Sequence, residues 1–168
     1  DVPLLLDADA LNQLAAHPVL AARVRHRRAA TLLTPHPAEA ARLLGIATDE
    51  VQANRVEAAL TLARRFKAHV ALKGCGTVVA TPDGEWRINA SGNPGLASAG
   101  SGDVLAGIGG ALLAQGWPAQ AALCGAVHIH GLAADLLVAS GDGPIGIAAG
   151  ELIPAARGIL NRLIAADA

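Results

Sequence analysis

Aromatic residues are scarce in this sequence: 168 residues include two Trp, one Phe and no Tyr, so the interior has to be aliphatic. Hydrophobic residues nevertheless make up 52% of the chain, enough Ala, Leu, Val and Ile for the core of a single domain spanning 1–168. Cysteine is nearly missing too. Cys75 and Cys124 are too few and too widely spaced for a disulfide framework or a zinc motif, and are expected as reduced thiols in the cytoplasm. A formal net charge of -1 provides no field to attract nucleic acid or an anionic membrane surface, and neither is expected as a partner. No leader peptide is expected, since nothing that resembles one precedes Asp1. The most apolar span, Ala119 to Ala139, is interrupted by Gln120, His128, His130 and Asp135 and reads as a buried helix of a soluble protein rather than a membrane span.

Glycine, by contrast, is concentrated where the chain changes character. Between Asn89 and Gly116, the residues Gly92, Pro94, Gly95, Gly100 and Gly102 break regular structure, while Val104, Leu105, Ile108, Leu112 and Leu113 recur at helical spacing. A loop therefore feeds a buried helix that stops at Gly116. The amides of Gly100, Ser101 and Gly102 are expected to collect at the positive end of that helix, with no Cβ on either glycine to block an approaching phosphate. Asp103 has two readings at this point. It complements the helix dipole, with Ser101 as a cap, or it is a general base for an attacking hydroxyl beside the phosphate. The loop lacks the Gly-Lys-Ser/Thr ending of a Walker loop and the last glycine of the dinucleotide fingerprint.

Other segments are arranged around this loop. Val2 to Leu6 is a continuous apolar run, the pattern of a buried parallel strand, and it delivers Asp7 at the carboxyl end, where α/β sheets form their ligand crevice. Asp9 reads equally as a helix cap or a site residue. Arg23, Arg25, Arg27 and Arg28 suggest a solvated helix face before a strand from Ala29 to Thr34. Pro37 stands at a plausible first helical position, with Glu39 at the positive end of the same helix. A helix capped by Asp49 is expected to run to about Phe66, followed by a strand at His69 and the turn Lys73-Gly74-Cys75-Gly76-Thr77. Two glycines there let backbone approach a nucleotide, and Lys73 reads as a flexible point charge for its phosphates, or as a surface lysine on a turn. Pro82-Asp83-Gly84 signals a hairpin. His128, His130 and Asp135 read as structural residues of a tightly packed helix, Gly141 to Gly146 as a loop that could close near the nucleotide, and Ala148 to Ala165 as a final helix.

The run Asn93-Pro-Gly-Leu-Ala-Ser-Ala-Gly-Ser-Gly-Asp103-Val-Leu-Ala-Gly resembles the signature of the ADP/ATP-dependent NAD(P)H-hydrate dehydratases of the ribokinase-like superfamily. The other motifs follow in family order: Asp7-Ala-Asp-Ala-Leu-Asn12, His36-Pro-Ala-Glu39, Lys73-Gly-Cys-Gly-Thr77 and His130-Gly-Leu-Ala-Ala-Asp135. Relatives usually carry Thr at Ser101 and Gly at Ala99, Ala38 and Ala134, small changes that preserve the loops, and often Asp at Glu151. The resemblance implies an α/β fold with a mainly parallel central sheet and helices on both faces, shortened at its amino end relative to the family. It implies nucleotide contacts from Lys73 to Thr77, from Asn93, Pro94 and Gly95, and from Gly100, Ser101 and Gly102. Substrate contacts fall to Asp7, His36, Pro37, Glu39 and Asp103, and Glu39 is assigned to the outer sphere of Mg²⁺.

The implied reaction is dehydration of hydrated NADH or NADPH with ADP or ATP as cosubstrate, in a homo-oligomer of tetrameric type. Two other functions fit the same loop: a ribokinase-like kinase of a vitamin precursor or sugar, and a nucleotide-binding module without turnover. His36, where the kinases have Asn, argues against the kinase.

Overall fold

The computed structural model describes residues 1–166. Three strands, β1 (Leu4–Leu6), β2 (Thr31–Leu33) and β3 (His69–Leu72), pair in parallel, each joined to the next by helical crossovers. Between β1 and β2 lie α1 (Asp9–Ala16) and α2 (Pro18–Arg25); between β2 and β3 lie α3 (Pro37–Leu44), α4 (Thr48–Ala53) and α5 (Arg55–Phe66). The hairpin of β4 (Val78–Ala80) and β5 (Trp86–Ile88) then extends the sheet antiparallel to β3, giving the order β1-β2-β3-β4-β5. The expected parallel core is present, and the hairpin makes the sheet as a whole mixed. The chain ends in α6 (Ser101–Ala114), α7 (Ala119–Ala139) and α8 (Ala149–Ala166).

The period-2 alternation of the strands decides what each face buries. Leu33, Val70, Leu72, Val78 and Ala80 pack with α1, α3, α4 and α5, whereas Leu32, Ala71 and Val79 pack with α6, α7 and α8. Two aliphatic cores thus sandwich one sheet, in a chain with too few aromatic side chains to fill either one otherwise. By length and composition α7 is apolar enough to cross a bilayer, but Ala122, Leu123, Ala126, Val127, Ala133 and Ala134 are buried within the second core.

Several expectations at element ends are corrected. The helix expected from Asp49 to Phe66 is two helices, because Asn54 leaves helical geometry at φ −138° and ψ 57°. Asp49 is not its cap: Glu50 reaches back to accept from the Ala47 amide at 3.1 Å, and Asp49 lies within the first turn. Asp9 is likewise the first residue of α1 and not its cap, which is Ala8 at φ 48°. Arg27 departs from the solvated cluster by pairing with Asp1 at 2.9 Å, while Arg23, Arg25 and Arg28 are exposed. Pro37 opens α3 as expected.

Leu62 of α5 is fully buried in the first core. Leu62→Ala is expected to lower stability by about 2 to 5 kcal/mol, whereas Ile145→Ala, at a side chain 95% exposed, should change it by less than about 0.5 kcal/mol; denaturant melts measure both. Burial also holds His69 and His130 below the ordinary histidine pKa, with Lys73 adding to the effect at His130 and contacts with Asp83 and Ser101 partly opposing it. The unfolded chain therefore takes up protons near pH 6.5 that the folded chain refuses. Stability is complete above that value and is lost as pH falls below it, down to the depressed folded values. The denaturation midpoint should drop between about pH 7.5 and about pH 5.5, and a His69→Gln, His130→Gln double variant should flatten that slope.

Candidate functional site

Because β1, β2 and β3 run parallel as neighbours, their carboxyl ends deliver Asp7, His36 and Lys73 to one edge of the sheet. Lys73 Nζ lies 2.7 Å from Asp7 Oδ1 and 3.9 Å from Glu39 Oε2. All three side chains are shielded, with exposures of 19% for Lys73, 10% for Asp7 and 6% for Glu39. The lysine expected to swing freely toward phosphate is instead held as the counter-charge of two carboxylates.

His36 and Glu39 form a reciprocal cap on α3, with Pro37 as its first residue. The His36 amide donates to Glu39 Oε2 at 2.8 Å, and His36 Nδ1 accepts from the amides of Ala38 and Glu39 at 3.1 and 3.3 Å. An accepting Nδ1 places the ring proton on Nε2, which faces Glu39 Oε1 at 3.1 Å. Nδ1 is thus engaged by the helix amides and Nε2 lies within ion-pair range of Glu39, while 46% of the side chain remains exposed. Among the described residues no three His, Cys, Asp or Glu side chains gather as a metal cage.

The long loop divides into two halves with different duties. In the first half, Gly92 N donates to Asp135 Oδ2 at 2.8 Å and Asn93 Nδ2 to Asp135 Oδ1 at 3.0 Å. Asn93 Oδ1 in turn accepts from Gly95 N at 3.0 Å, capping a 3-10 turn at Pro94–Leu96. Gly95 is buried, and a Cβ there would meet Ile147 Cδ1 at 2.6 Å. Its glycine is required by packing, and its amide, expected as a nucleotide contact, is taken by Asn93 Oδ1. Gly131 of α7 is required similarly, since a Cβ would lie 2.2 Å from Ser91 Oγ.

The second half is open. Gly100 takes φ +81° at the start of α6, and the amides of Gly100, Gly102 and Asp103 have no protein acceptor among the described residues. Ser101 differs from the expectation: its amide bonds Ser98 O at 3.3 Å, and its buried Oγ lies 3.3 Å from His130 Nε2. Gly102 sits where a Cβ would approach Lys73 Nζ to 3.3 Å and Asp7 Oδ2 to 3.6 Å, so the helix start lies against the ion pair. Asp103 is exposed and, among the described residues, makes no side-chain hydrogen bond or ion pair. Among the described residues no side chain caps α6, so neither Ser101 nor Asp103 serves in that way.

On the neighbouring turn, Gly74 and Gly76 both take positive φ, Cys75 is exposed, and Thr77 Oγ1 donates to Gly74 O at 3.2 Å. His130 and Asp135, read from sequence as residues of helix packing, thus also hold the loop of the site. Arg55 was not foreseen there, and its contacts with the Lys73 turn appear only in three dimensions.

A family model described as NAD(P)H-hydrate dehydratase matches residues 1–153. An ADP-dependent (S)-NAD(P)H-hydrate dehydratase of Neisseria meningitidis is 50% identical over 97% of this chain and 55% of its own. The ADP/ATP-dependent NAD(P)H-hydrate dehydratase of Bacillus subtilis, co-crystallised with ATP and Mg²⁺, superposes with a TM-score of 0.84 at 33% identity over 95% of this chain and 55% of that one. A ribokinase-like superfamily protein of Enterococcus faecalis, 23% identical, shares the fold with a TM-score of 0.75 over 94% of this chain and 52% of that one. The chain spans about half the length of these relatives. The match runs through the sheet edge and both loops, and the chain belongs to the NAD(P)H-hydrate dehydratase family with a ribokinase-like fold.

Proposed function

We propose that the protein dehydrates hydrated NADH or NADPH at the expense of ADP or ATP. The observation that carries this reading is the start of α6, where amides of Gly102 and Asp103 and the Asp103 carboxylate, all without a partner among the described residues, adjoin the Lys73–Asp7 pair. In this reading the ring hydroxyl attacks the terminal phosphorus of the nucleotide and passes its proton to Asp103. The helix amides stabilise charge on the transferred group. Departure of that phosphate, with loss of a neighbouring ring proton, restores the reduced nicotinamide. Gly74, Cys75, Gly76 and Thr77 would face the donor nucleotide, Gly100 and Gly102 its phosphates, and His36 with Pro37 the hydrated ring.

The donor set fits Mg²⁺ only in an outer role. Glu39 spends both oxygens on His36, and a small hard cation that keeps its waters rides mainly on phosphate oxygens. Glu39 and Asp7 would face such an ion through water, and when bound it would neutralise phosphate charge. Exposed Ile153, Leu163 and Ile164 on α8 support assembly as a homo-oligomer, for which a monomer by light scattering at micromolar concentration is the contrary result.

Asp103→Asn isolates the chemistry, because it preserves volume and removes the base. Recovery of NADH absorbance from its hydrate should fall by about 10² to 10⁴, with nucleotide binding retained or tightened. Unchanged turnover would end the assignment, and a stable phosphoester in place of free phosphate would make the protein a kinase.

A further inference from the structure

Arg55 is the first residue of α5, set there by the break at Asn54, and its guanidinium points into the turn after β3. Arg55 Nη2 donates to Leu72 O at 3.0 Å, to Lys73 O at 3.3 Å and to Gly76 O at 3.4 Å, while Nη1 donates to Gln52 Oε1 at 2.9 Å. The carbonyl of Gly74 is taken by Thr77 Oγ1. The amides of Gly74, Cys75 and Gly76 have no protein acceptor among the described residues. Space is shared as tightly as charge: a Cβ on Gly74 would lie 2.8 Å from Arg55 Nη1 and 2.9 Å from Nη2.

We propose that Arg55 is a positioning residue that sorts the polar groups of the Lys73–Thr77 turn, drawing its carbonyls inward so that the amides of Gly74, Cys75 and Gly76 are left to an anionic nucleotide. A turn of free backbone would offer a phosphate both acceptors and donors, and the acceptors would repel it. The planar guanidinium satisfies several carbonyls from one side, which a lysine's point charge does not do with the same geometry. The same grip fixes the backbone of Lys73, whose amide also bonds Pro35 O at 2.8 Å, and hence the placement of Nζ against Asp7. The proposal rests on the reading that this turn binds the nucleotide.

The test compares wild type, Arg55→Met and Arg55→Lys in the full chain, with ATP binding followed by calorimetry and amide hydrogen exchange followed without nucleotide. Arg55→Met should weaken ATP binding about tenfold or more and speed exchange at residues 74–77, with the middle of α5 unaffected. Arg55→Lys, which retains stem and charge, should fold as wild type does and still bind ATP more weakly. Wild-type affinity in either variant, with or without a lowered melting temperature, would overturn the proposal, as would unchanged exchange at residues 74–77. If the wild type binds no ATP, the nucleotide reading of the turn fails, and the exchange data alone decide whether Arg55 holds it.

Discussion

The contact between Lys73 and Asp7 joins residues 66 positions apart and ties the ends of β1 and β3 across β2. Its importance lies less in its own strength than in what its loss would expose. A partly exposed ion pair is weak in itself, but the shielded carboxylates of Asp7 and Glu39 both depend on the same ammonium group for a counter-charge. Gly102 lies beside that ammonium group: a Cβ there would come to 3.3 Å from Nζ, a close contact that the flexible end of the lysine would have to accommodate. The amide-rich start of α6 thus lies directly against the ion pair at the sheet edge.

Around that pair, the glycines of one loop fall into two groups, those required by packing and those that leave backbone open. Gly95, like Gly131 opposite Ser91, exists because neighbouring atoms occupy the space of a Cβ, while Gly100 supplies a left-handed turn and Gly102 an open amide. Asp135 makes this division possible from a distance. By accepting from Gly92 and Asn93 it fixes the front of the loop on α7, leaving the rear to present unpaired donors. A loop so restrained would lose little further freedom on receiving a phosphate, which the proposed function requires for preorganised stabilisation of transferring charge.

The elements with strong local causes were legible beforehand. Pro82-Asp83-Gly84 makes the hairpin, Pro37 opens α3, and the apolar runs at Val2 to Leu6 and His69 to Leu72 give parallel strands with charged carboxyl ends. The break at Asn54 was not legible, because the flanking residues retain helical periodicity across it. Capping was misread for a similar reason: Asp49 and Glu50 both carry carboxylates near the start of α4, and only side-chain reach decides that Glu50 bonds the Ala47 amide.

Legible in the sequence alone were the alternation of strands and helices, the hairpin, and the amide-rich, glycine-broken entry to α6 beside Asp103. Each of these follows from periodicity, backbone freedom or turn chemistry within a few consecutive residues. Only the tertiary structure decided that Lys73 is held by Asp7, that His36 caps α3 through Nδ1 while Nε2 faces Glu39, that Gly95 is filled and Gly102 open, and that Arg55 grips the turn after β3. Those outcomes depend on atoms far apart along the chain competing for the same hydrogen bonds and the same few cubic ångströms, and that competition has no local sequence pattern.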